Sequence, residues 1–228
     1  MFLTVLQMDI NSSTGAPSGR THIEIAVSKT GNPTSDWNLF ELDTTDDGNN
    51  GNPSHPNCPC LGDQPLIGAD ANGFYISTNE FSLFSTPFNG AQIYAMSKTA
   101  LAAGVLPTVF QINAGEMATP DIGGIWYSIQ PATTPPGDDY ATNTEYFLSS
   151  LDFAAVNAYP SNLPSGGLDN RIAVWKLTGT DTLASATPRL SLTFMVIDSE
   201  VYGIPPNAQQ KNGLLPLAQS LGIPKSKL

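Results

Sequence analysis

Hydrophobic and polar residues alternate with a period of two along most of this chain, with heavy use of β-branched and aromatic side chains. That pattern predicts half-buried strands rather than helices. Three strands are expected at the start, over 2–10, 22–29 and 37–43. Four follow: QPLIGAD (64–70), GFYISTNEF (73–81), AQIYAMSK (91–98) and PTVFQIN (107–113). Four more are GGIWYSIQPA (123–132), EYFLSSLDF (145–153), NRIAVWKL (170–177) and RLSLTFMVI (189–197). Ala71-Asn72-Gly73 is a tight-hairpin signal between two of them. MFLTVLQMDI has no basic leader region and no small-residue cleavage site, so it reads as a strand that begins at once and not as a signal peptide.

The strands recur in sets. FYISTNEF begins at Phe74 and YFLSSLDF at Tyr146, 72 residues apart, and a further 72 residues back lies Phe2. A second motif follows each: HIEIAVSKT ending at Thr30, QIYAMSKT at Thr99 and RIAVWKLT at Thr178. The four-strand order with head-to-tail recurrence predicts an all-β chain of about three four-stranded antiparallel blades of a β-propeller. The expected blades span 1–60, lacking its inner strand, then 61–120 and 121–200, with 201–228 a linker or the start of another blade. A two-sheet sandwich built from the same hairpins is the competing architecture, but it has no reason to repeat.

Composition narrows the function classes. The 228 residues include 9 basic and 20 acidic ones, a formal charge of −11. Nucleic-acid binders carry a basic surplus, so a nucleic-acid partner is not expected. No apolar run approaches 18 residues, so no membrane-spanning helix is expected. Charged residues make up 13 %, against about a quarter in ordinary domains. Gly and Pro are abundant, at 20 and 19 residues, as a turn-rich β chain requires. The two cysteines lie in CPC, Cys58 and Cys60. They can pair with each other, stay free, or join His55 as part of a metal site.

Two stretches, HPNCPCLGDQPLIGADANGFYISTNEF and GAQIYAMSKTALAAG, together resemble bacterial exported proteins with sialidase-like (neuraminidase-repeat) β-propeller blades. AVSKTGNPTSDW is similar to the degenerate repeat of that group at Ser28, Thr30, Pro33, Thr34 and Trp37, with Asn32 where the repeat usually has Asp. The resemblance spans roughly residues 2–212 and implies a secreted or cell-surface protein. Five to seven blades of about 72 residues would need at least about 360 residues, so the chain is expected to be a fragment. The open blade edges would then be covered by further blades or by self-association. The resemblance implies no particular activity.

Candidate chemistry is sparse. A sialidase would gather arginines around a carboxylate, and this chain has only Arg20, Arg171 and Arg189. A paired-carboxylate glycosidase could draw on Asp63, Asp70, Asp121, Asp138, Asp139, Glu145 or Asp152. Asp63 and Asp70 are the leading catalytic candidates, and turn capping is the competing role for both. Asp43, Thr45, Asp47 and Asn49 stand at alternate positions with Gly48 sixth, as in a calcium loop, although Ser54 occupies the place of its final glutamate. Trp126, Tyr127 and Tyr140 could stack on a carbohydrate or protein ligand; the competing reading has Trp126 and Tyr127 alternating across a buried inner strand, one into each inter-blade core. The expected function is a binding or scaffold module of unassigned ligand, with glycans as the candidate class. The alternative is a fragment of a glycan-acting hydrolase with its catalytic residues partly elsewhere.

Overall fold

The computed structural model describes residues 1–119, 124–133, 141–151 and 169–203. The expected strands condense into three antiparallel sheets, each with its strands in chain order. Sheet one is β1 (Phe2–Ile10), β2 (Pro17–Ser28) and β3 (Trp37–Asp43). Sheet two is β4 (Cys60–Ala69), β5 (Gly73–Ser82), β6 (Phe88–Ser97) and β7 (Phe110–Asn113). Sheet three is β8 (Gln130–Pro131), β9 (Thr144–Ser150), β10 (Asp169–Thr178) and β11 (Ser191–Tyr202). None closes on itself. No helix among the described residues is long and apolar enough to cross a membrane.

The sheets pack face to face, and the middle one is buried on both sides. Residues 73–80 of β5 are buried throughout. Phe74 and Ile76 meet Ile23, Ile25 and Val27 of sheet one. Tyr75 turns the other way, toward Phe147, Trp175 and Leu177 of sheet three. Alternation on a two-faced strand thus feeds two separate cores. Aromatic pairs fix each interface: Phe2 stacks on Phe74 at 4.3 Å, and Tyr75 meets Phe147 edge-on at 6.0 Å.

The packing corrects the register of the recurrence. Matching letters at 72 residues aligns Phe74 with Tyr146, but Phe74 faces the preceding sheet whereas Tyr146 is exposed. Phe147 is the residue that faces the preceding sheet. It pairs with Trp175 as Phe74 pairs with Met96. The structural spacing is therefore 73, because a one-residue slip would turn every side chain to the wrong face.

Other departures are local. β4 starts at Cys60, earlier than the expected Gln64, and bulges between Asp63 and Leu66. The bulge puts Gln64 at a positive φ of 51°. The expected strand 123–132 shortens to β8, and β7 begins only at Phe110. The polar turn after β6 is a short helix, α1 (Lys98–Ala102), capped by the Ser97 hydroxyl and anchored by buried Leu101. Where β4 passes β8, a Cβ on Gly68 would lie 2.4 Å from that of Pro131, so only glycine permits the approach.

Candidate functional site: a cleft above a buried carboxyl and imidazole cluster

The face of sheet two toward sheet one changes character along its length. Phe74 and Ile76 of β5 are apolar, but Thr78 and Glu80, next on the same face, are polar and buried. Gln92 lies opposite Thr78 on β6, and Gln111 of β7 lies opposite Tyr94. The segment after β3, residues 44–59, folds over this polar end. Backbone bonds from Cys60 N–H to Thr45 O (2.8 Å), Gly48 N–H to Pro53 O (2.9 Å) and His55 N–H to Asp46 O (2.9 Å) hold it. Cys58 and Cys60 are joined in a disulfide. That settles the three options left by the sequence and removes the thiolates from any metal site with His55.

Asp46, at a positive φ of 51°, is fully buried against Glu80 and His55. His55 Nδ1 lies 2.9 Å from Glu80 Oε2 and 3.7 Å from Asp46 Oδ2. The Asn89 amide donates to Glu80 Oε1 at 2.7 Å, and the Gln111 amide donates to Asp46 Oδ2 at 2.8 Å. Burial, then the hydrogen bond and negative charge of Glu80, push the Asp46 carboxyl up to about 8. At neutral pH it is a protonated acid facing Glu80. The Tyr94 phenol is pushed above its ordinary range by its burial and by the same two carboxyls.

His55 and Gln111 carry this cluster to the wall of an open cleft of about 630 Å³. Its lining includes polar Glu41, Asp43, Asn52 and Asn113 and the apolar run Leu106, Pro107 and Val109. Leu106 is 75 % exposed, so this shelf is held open to solvent.

The carboxylates expected to act as a catalytic pair are kept apart. Asp63 is exposed and accepts the N–H of Gln64 at 2.8 Å. Asp70 is buried at the other end of β4, on the order of 20 Å along the strand. It caps the hairpin, accepting N–H bonds from Asn72 (2.8 Å) and Gly73 (2.6 Å) and the hydroxyl of Thr180 (2.8 Å). Glu145, also buried, feels the charge of Asp70. Burial, then the charge of Asp70, push Glu145 up to about 8. The Asp46–Glu80 pair is buried and in mutual contact, far tighter than the ~5 to 9 Å that glycosidases use.

Asp43, Thr45, Asp47 and Asn49 all line one open cleft of about 390 Å³, together with Arg20. Their oxygens are engaged locally. Asp43 accepts from Thr45 N–H at 2.9 Å, and Asp47 from the backbone and side-chain amides of Asn49 at 2.9 and 2.8 Å. Those two bonds hold the Asp47 carboxyl below its ordinary value. Trp126 is fully buried, edge-on to Trp175 and Phe194 at 4.9 Å each. Tyr127 sits in the same core with its hydroxyl 3.2 Å from Ser150 Oγ. Neither offers a ring to a ligand, and both lie in one core, not on opposite faces of a strand. Tyr140, Asp121, Asp138, Asp139 and Asp152 lie outside the described residues. Trp37 is half-buried and donates to Pro33 O at 3.1 Å, clamping the β2–β3 turn. In that turn Asn32 Oδ1 accepts from Thr34 N–H and Oγ1–H at 3.0 and 2.9 Å. Arg20 is tied to Glu41 and Asp9 on sheet one, and Arg171 forms a fork on Asp169 in sheet three.

Sequence reasoning missed Asp46 and Glu80 as a site. Asp46 falls between the alternate positions of the calcium-like loop, and Glu80 lies far from it in sequence. A buried acid at the end of an otherwise apolar strand face was the available signal. No protein-family profile, curated protein or solved structure matches this chain.

Proposed function

We propose that this chain is part of an exported bacterial β-propeller and serves as a binding or scaffold module, with carbohydrate as its ligand class. The 630 Å³ cleft carries the reading. Its lining offers polar groups for sugar hydroxyls, Glu41, Asn52 and Asn113, and apolar groups for a sugar's C–H face, Leu106, Pro107 and Val109. The propeller assignment draws support from three chain-ordered antiparallel sheets packed face to face. It also draws on the apolar outer faces of the first and third sheets, which present Leu3, Val5 and Leu39, and Leu148 and Met195. A disulfide is in keeping with an oxidising compartment. The test is a glycan array run with a hydrolysis panel on the same sugars. Binding without product is expected. Turnover that disappears on substituting Asp63 or Asp70 would restore the hydrolase reading.

A further inference from the structure

We propose that Asp46, His55 and Glu80 form a binding site for a divalent transition-metal cation of the zinc class. One ligand atom from each lies within 4.8 Å of the others. Zinc holds its ligands at about 2.0 to 2.2 Å, so its donors sit about 3.3 Å apart. His55 Nδ1 is already 2.9 Å from Glu80 and 3.7 Å from Asp46. Only small side-chain adjustments would close the set. One imidazole with two carboxylates suits zinc better than calcium or magnesium, which take oxygen alone.

A second observation shows room for a cation beside Asp46. Asp46 is fully buried, and no N–H or O–H of the described residues reaches its Oδ1. Unless it shares a proton with Glu80, that buried oxygen is costly without something electropositive beside it, and a cation would take the place of that proton. No lysine or arginine does so, since Asp46 and Glu80 ion-pair only with His55 among the described residues. The contrast is with the cluster of His22, Glu24 and Glu41 on sheet one. There Glu41 already holds the guanidinium of Arg20, and both acids are about two-fifths exposed. The second layer of the Asp46 site is also in place. The Asn89 amide orients Glu80, and the Gln111 amide orients Asp46, as partners of ligating carboxylates do. His55 lines the open cleft, which supplies a route of entry.

The full chain, with its disulfide intact and stripped by a chelator, is titrated with zinc chloride in a calorimeter. One saturable site per chain is expected, with affinity weakened at least tenfold in Asp46→Asn and in Glu80→Gln. His22→Ala should leave it unchanged. Zinc-edge absorption of the wild-type chain should show only nitrogen and oxygen neighbours, including one imidazole. That spectrum decides the matter even if the two variants fail to fold. Absence of saturable binding, loss of binding in His22→Ala, sulfur in the metal shell, or tighter calcium than zinc binding would each overturn the assignment.

Discussion

Asp63, at the β4 bulge, and Asp70, just past the end of β4, do different amounts of structural work. Asp70 accepts three hydrogen bonds at a buried turn, so Asp70→Ala leaves two backbone N–H groups and the Thr180 hydroxyl without their acceptor. A loss of about 1 to 3 kcal/mol is expected in urea unfolding. Asp63→Ala, at an exposed bulge, should stay within about 0.5 kcal/mol. Glu145 makes the pH prediction. It faces Asp70, Lys98 and the backbone N–H groups of Tyr146 and Ala132, and its folded value is raised from 4.5 to about 8. The folded chain therefore keeps a proton that the unfolded chain loses above about pH 4.5. Its stabilising contribution is complete below that pH and is lost as pH rises through about 8. Wild type should lose stability relative to Glu145→Gln across this window, read from melting curves at pH 5 and pH 8.5. A constant difference between the two proteins would contradict the buried, protonated state. Asp70 was readable as a turn cap because its partners are its neighbours in ADANG. The Asp46 cluster was not, since Glu80 lies 25 residues from His55 and meets it only when the segment 44–59 folds over sheet two.

Strand identity was legible throughout, because alternation and β-branching depend on local pattern alone. Strand register was not. Phe74-Tyr75 and Tyr146-Phe147 are both aromatic pairs, and only the choice of which ring faces the preceding sheet separates 72 from 73. That choice is made by pairing, with Phe147 set against Trp175 on β10. The aromatics 126 and 127 misled for a related reason. Residues 124–129 are not a strand, so alternation does not govern them and both rings enter one core. Close backbone approach offers a test at this scale. At the β6 edge, Gly90 has a φ of 96°, and a Cβ there would lie 2.6 Å from the Cα of Gly115 and 2.5 Å from Ile125. Gly90→Ala combines a left-handed backbone with a clash, and a loss of at least about 1 to 3 kcal/mol is expected. Gly51→Ala provides the control. Its φ is also positive, 87°, but nothing lies within 4 Å, so it carries the backbone strain alone and a smaller loss is expected in the same urea experiment.

Across the whole molecule, two cores lie between three sheets, and the outermost faces remain apolar. Leu3 and Val5 are 52 % and 57 % exposed on sheet one, and Met195 is 62 % exposed on sheet three. In a propeller such faces meet neighbouring blades; in the chain alone they should drive self-association. Concentration-dependent oligomers are expected in sedimentation velocity, shifting to monomer when Leu3 and Val5 are both replaced by lysine. The cleft between sheets one and two is the feature on which the functional proposal depends, and calorimetric titration with the glycan that scores highest on the array addresses it most directly. Saturable binding by wild type, at least tenfold weaker in Leu106→Ala and Asn52→Ala and unaccompanied by sugar cleavage, is the expected result. Binding that both variants leave unchanged, or release of cleaved sugar during the titration, would contradict it.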